Sequence, residues 1–184
     1  KTSPSIIKML YLSSKSTGIT FSELINSCNI VPVSISYQYD PCDINKGREE
    51  ISKMLHGGEY TKRRYEDVLS MLRGLRKYKG NIHIAFGAPL AGDFKDSYEV
   101  AEMIDQQIYT RYHLWDTNYF AYDYVNGTQN FADHYAGLGK KKFLARYKHL
   151  SPEVRNYVLN AYANPVRSFL ATQGKEPYPI STTV

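Results

Sequence analysis

The stretch Asn29-Ile30-Val31-Pro32-Val33-Ser34-Ile35-Ser36-Tyr37 decides how the rest of the chain is read. Its β-branched residues fit a strand. Side chains alternate across a strand, so Val33, Ile35 and Tyr37 share one face and Ser34 and Ser36 the other. Pro32 cannot donate to a ladder and belongs at a strand start, an edge or a bulge. Asp40-Pro41-Cys42-Asp43 then turns the chain. Upstream, Ser3-Pro4 opens a helix with Ile6, Ile7, Leu10 and Tyr11 as its core-facing stripe. A polar loop follows over residues 13–18. Thr20-Phe21-Ser22-Glu23 has the spacing of a capping box, ahead of Leu24, Ile25 and Cys28 on one helical face.

Downstream, residues 47–55 predict a helix closed by Gly57-Gly58. Residues 62–77 predict a stronger one. Tyr65, Val68, Leu69 and Leu72 form its core stripe, and Arg73, Arg76 and Lys77 fall in the last turns, where the dipole favours cations. Gly80 releases the chain into Asn81-Ile82-His83-Ile84-Ala85-Phe86, a second alternating strand. Two strands about 45 residues apart, with helices between, fit a crossover in a parallel or mixed sheet. Two strands alone do not make a stable sheet, so others are expected in unassigned segments or upstream of Lys1. Asp96 caps a helix carrying Val100, Ile104, Ile108 and Tyr112 to about Trp115. Residues 119–126 are aromatic and resist assignment. Residues 140–147 predict a basic helix. Ser151-Pro152-Glu153 starts a last one, expected to kink or stop at Asn164-Pro165. Residues 174–184 are expected to fray. The expected fold class is α/β. A small mixed sheet, with strands near 30–37 and 82–87, is packed by helices over residues 1–90, and an all-helical region fills 91–184.

Composition narrows the function. The 184 residues are 42% hydrophobic and 22% charged, which suits a globular chain and not a disordered one. Mean hydropathy is −0.46, and no apolar run approaches the roughly 20 residues of a spanning helix. Cys28 and Cys42 cannot build a disulfide framework or a four-thiolate zinc site, and read as free thiols in a reducing compartment. The chain holds 17 tyrosines and a net charge of +5, a balance that often meets phosphate on lipids, nucleic acid or small substrates.

Few catalytic patterns are present. No histidine sits in H-x-x-x-H or H-E-x-x-H, and no metal set is expected. His113 and Asp116 could share a helical face, though surface His–Asp neighbours are common. There is no P-loop and no nucleophile elbow. Two basic clusters remain. Residues 62–79 carry seven Lys/Arg against Glu66 and Asp67. Residues 140–148 carry Lys140, Lys141, Lys142, Arg146 and Lys148 with no acid. Each is a solvated helix face or a contact with phosphates.

Asn29-Ile30-Val31-Pro32-Val33-Ser34-Ile35 resembles the fourth conserved block of the glycerolipid acyltransferase superfamily, where a helix leads into a V-P-V/I-x-I strand. Later in that family a basic helix precedes a strand ending F-G-x-P and then Leu or Ile. Here those features are Arg73 to Lys79 and Phe86-Gly87-Ala88-Pro89-Leu90. With Asp40-Pro41-Cys42-Asp43, the pattern looks most like a bacterial branch with a longer helical tail. The resemblance covers about residues 4–90, half the chain.

It implies acyl transfer from a thioester donor to a glycerophosphate-type hydroxyl, without a cofactor. The family's H-x-x-x-x-D block, with His as general base, has no copy here. The fifth residue after each histidine is Thr61, Ala88, Asn118, Gly139 or Val154. The phosphate-binding E-G-x-R block is missing as well. Both blocks precede the V-P-V strand in the family, and the chain begins at Lys1. The expectation is therefore the C-terminal part of such an enzyme, whose partner is the missing N-terminal half, with no catalytic residue of its own. Pro32 and Val33 would wall the acyl groove. Lys140, Lys141, Lys142, Arg146 and Lys148, with Phe143 and Tyr147, would meet an anionic membrane surface at the inner, cytoplasmic face. The competing reading is a non-catalytic helical module for anionic membranes or nucleic acid. Nucleic acid is not an expected partner of the enzyme.

Overall fold

The computed structural model describes residues 1–14, 18–60 and 64–172. The middle of the polar loop, Lys62 and Arg63 at the start of the first basic cluster, and the Pro- and Thr-rich tail lie outside them. The described elements are α1 (Pro4–Ser14), α2 (Phe21–Ser27), β1 (Val33–Tyr37), α3 (Asp43–Leu55), α4 (Glu66–Arg76), β2 (Ile82–Phe86), α5 (Ser97–Arg111), α6 (Asp116–Asn126), a 3-10 turn (Ala132–Tyr135), α7 (Lys140–Ala145) and α8 (Pro152–Thr172). The chain is mixed α and β, mostly helical. Two compact units form, each from two stretches: Lys1–Ser36 with His83–His113, and Tyr37–Ile82 with Leu114–Val184. Neither ends at residue 90.

In the first unit the helix signals act as read. The Thr20 hydroxyl accepts from the Glu23 amide at 3.3 Å, and the Glu23 carboxylate accepts from the Thr20 amide at 2.9 Å. The Asp96 carboxylate accepts from the Tyr98 and Glu99 amides at 2.8 and 3.0 Å. Ile7, Ile25, Leu90, Phe94, Val100 and Ile104 form the core. The α1 stripe is narrower than expected, because Ile7 is buried while Ile6 and Leu10 are exposed. The helix meets α5 along one line, pinned where the Thr2 hydroxyl donates to Asp105 at 2.7 Å. Likewise α5 stops at Arg111, before Trp115.

The sheet runs differently from the expected crossover. Strands β1 and β2 pair with each other, and the pairing is antiparallel. The Gln38 amide donates to the Asn81 carbonyl at 3.0 Å, and the Gly87 amide to the Pro32 carbonyl at 2.7 Å. One index rises as the other falls, which only an antiparallel ladder allows. The reason is the intervening excursion, which leaves and returns at the same end: the Tyr39 amide donates to the Lys79 carbonyl at 2.9 Å. Pro32 sits just before β1, at a strand start, as its missing donor requires.

The second unit is an aromatic helical core. Helices α3 and α6 both pack on α8. Phe120, Tyr122, Tyr135, Phe143, Tyr147 and Tyr162 lie inside with Val154, Val158 and Val166. Residues 119–126 prove to be the body of α6. Helix α8 runs through Pro165 without stopping. Val158, Tyr162 and Ala163 before it and Val166 after it are all buried, and that packing outweighs the lost backbone bond.

Candidate functional site

The two segments that carry the family resemblance meet. The Gly87 amide donates to Pro32 and the Leu90 amide donates to the Ile30 carbonyl at 2.8 Å, so the V-P-V strand and the F-G-A-P-L turn form one unit. Gln107 of α5 clasps the turn from the side. Its side-chain oxygen accepts from the Ala88 amide at 2.8 Å and its side-chain nitrogen donates to the Ala88 carbonyl at 3.2 Å. This explains the glycine. A Cβ at residue 87 would lie 2.3 Å from the Gln107 oxygen and 3.1 Å from the Pro32 carbonyl oxygen. Gly87→Val is expected to expel Gln107 and cost about 1–3 kcal/mol, read as a lower urea midpoint. A midpoint equal to the parent's would remove this account of the turn.

The sheet is turned so that its polar side is the covered one. Ser34 and Ser36 are buried, and Val33 and Ile35 are exposed. On β2, Ile82, Ile84 and Phe86 are exposed and His83 and Ala85 half-buried. With Val31, the outward residues make a bare apolar face. Pro32 and Val33 therefore part company. Pro32 is buried on the covered side, while Val33 is 39% exposed on the bare one. Of the two expected groove residues, only Val33 stands where an acyl chain or a covering segment can reach.

Under the sheet lies a polar seam that periodicity does not announce. The register places Ser36 opposite His83. The hydroxyl oxygens of Ser34 and Ser36 and Nδ1 of His83 are buried and lack a hydrogen-bond partner. The His83 and His113 rings lie 5.1 Å apart. Burial, and then the His83 charge, pull the His113 pKa below the ordinary histidine value. The unfolded chain thus binds a proton there before the folded one does, so stability rises with pH through that window and falls on acidification below about 6.5. His113→Gln is expected to flatten that part of the stability curve in urea titrations between about pH 5 and 8. An unchanged slope would assign the acid sensitivity elsewhere.

The expected membrane cluster splits. Lys140, Lys141, Lys142 and Lys148 are exposed, with Lys140 Nζ 4.7 Å from the Tyr135 ring centroid. Arg146 does not join them. Its guanidinium lies 3.5 Å from the Asp43 carboxylate and 4.9 Å from the Tyr39 ring centroid. Phe143 and Tyr147 are fully buried, so neither can sit at a head-group level. The Tyr147 and Tyr162 hydroxyls both donate to the buried Asp43, at 2.8 and 3.2 Å. Burial, and then the Asp43 charge, push the Tyr147 phenol up. Helix α7 is thus docked by its aromatic side, and its lysines form a solvated face. Asp43 opens α3 earlier than the expected start at Gly47, and nothing in the sequence pattern marks it as an anchor.

Among the described residues no group of three metal-ligating side chains gathers, and no helix is long and apolar enough to cross a membrane. No protein family, curated protein or solved structure matches this chain.

Proposed function

We propose that the chain is the C-terminal portion of a glycerolipid-type acyltransferase, one that moves an acyl group from a thioester to a glycerophosphate-type hydroxyl. The observation that supports this reading is the direct pairing of the two family-like segments, Ile30 and Pro32 with Gly87 and Leu90. They lie far apart in sequence yet share one hydrogen-bonded edge. The bare apolar face beside them agrees with it: Val31, Val33, Ile35, Ile82, Ile84 and Phe86 await cover, and the other half of the domain is the proposed cover. The enzyme would work as a peripheral protein on the cytoplasmic side of a membrane, because such an enzyme takes at least one of its substrates from a bilayer.

The 184-residue chain alone is expected to be inactive, since no histidine stands in the pattern of the family's base. The test is release of free thiol from an acyl thioester in the presence of glycerol 3-phosphate or a lysophospholipid. Turnover by this chain, abolished by replacing one of its five histidines, would overturn the reading.

A further inference from the structure

Helix α4 is docked the wrong way round for a core helix. Its half-buried residues are Glu66, Ser70 and Gly74, with Lys77 just beyond, a polar stripe at helical spacing. Gly74 allows the close approach on that side, for a Cβ there would lie 3.2 Å from Cys42 Sγ. The Glu66 carboxylate accepts from the Tyr60 hydroxyl on the same side. None of the helix's residues is buried. Val68, Met71, Leu72 and Leu75 form the opposite row and are 50, 63, 50 and 71% exposed. Tyr65 and Leu69 are exposed as well, so the expectation that Tyr65, Val68, Leu69 and Leu72 serve the core is corrected.

Charge tells what covers the row. Arg73, Arg76, Lys77 and Lys79 crowd the C-terminal end of α4, and none makes an ion pair among the described residues. The cleft beside α4, about 440 Å3, adds no net charge, since Arg48, Arg64 and Arg73 are balanced there by Glu49, Glu66 and Asp67. An apolar row edged by unpaired cations is the chemistry of a helix lying in an anionic bilayer surface. We infer that α4, and not α7, is the membrane-contacting element, with Val68, Met71, Leu72 and Leu75 entering the acyl boundary and the exposed Arg76 meeting lipid phosphates. This rests on the peripheral part of the reading above and names the surface that makes the contact.

The test is co-sedimentation of the chain with phosphatidylcholine vesicles holding about a quarter phosphatidylglycerol, at low salt. The parent is expected to bind. Leu72→Glu with Leu75→Glu should weaken partitioning about a hundredfold. Arg76→Gln should weaken it about fivefold. Lys140→Gln with Lys141→Gln and Lys142→Gln should leave it within about twofold, because those lysines lack an apolar row. All these side chains are exposed, and unchanged circular dichroism verifies that each variant folds. Binding lost only with the Lys140 set would overturn the α4 assignment while the peripheral reading stands. No binding by the parent would overturn both. A parent dimer in solution that the Leu72 and Leu75 changes dissociate, without altered vesicle binding, would give the row to a second copy instead.

Discussion

Phe143→Ala is expected to destabilise the second unit by about 3–5 kcal/mol. The ring is 1% exposed and stands at the centre of an aromatic cluster. Its centroid lies 5.3 Å from Tyr162, 5.5 Å from Tyr147 and 5.7 Å from Phe120, each edge-on. Removing it leaves a cavity and forfeits three edge-to-face contacts at once. Urea unfolding followed by tyrosine fluorescence measures the loss. The same variant separates two roles for α7. If Phe143 dipped into a bilayer, its replacement would spare stability and weaken vesicle binding. The buried ring predicts the reverse.

Asp123→Ala should cost a similar amount, about 3–5 kcal/mol, through unmade hydrogen bonds instead of lost packing. The buried Asp123 carboxylate gathers the loop after α6. It accepts from the Thr128 hydroxyl at 2.6 Å, the Asn130 amide at 3.1 Å, the Phe131 amide at 2.9 Å and the Tyr135 hydroxyl at 2.9 Å. Burial alone would raise its pKa, but these donors outweigh burial and hold the carboxyl below the usual carboxylate value. The sign follows. The unfolded chain takes up the proton first on acidification, so the stabilisation is complete above the ordinary Asp range and is lost as pH falls through the lowered folded value. Asp123→Asn, which keeps the shape, should remove that acid-side loss along with most of the stabilisation. An acid limb identical in parent and variant would contradict this assignment.

The elements that sequence resolved are those with a local signal, a cap or a clear period, whichever side of them is covered. The capping box at Thr20 and the cap at Asp96 are local chemistry, and both form. The strands at Val33 and Ile82 alternate and are strands. Pairing direction was not legible, since alternation is the same in parallel and antiparallel ladders and only the return of the chain through Tyr39 and Lys79 sets it. Helix α4 shows a second limit. Period identifies a stripe, not the side that docks, and here Ser70 and Gly74 face inward. Helix α6 was hidden because Thr117, Asn118 and Asp123 occupy buried positions and break its apolar period. Arg146 read as one more cation among lysines, because Asp43 is remote in sequence. The Gln107 clasp on Ala88 had no signal at all. A glutamine in mid-helix looks like any solvated residue.

The acyltransferase reading meets its most direct test in the genomic DNA on the 5′ side of the Lys1 codon. The account predicts an open frame encoding E-G-x-R within some tens of residues and H-x-x-x-x-D before it. That frame would supply the base and phosphate-binding block that the chain lacks, and the cover for Val33, Ile35, Ile84 and Phe86. A start codon close to Lys1 with neither block ahead of it would contradict the account.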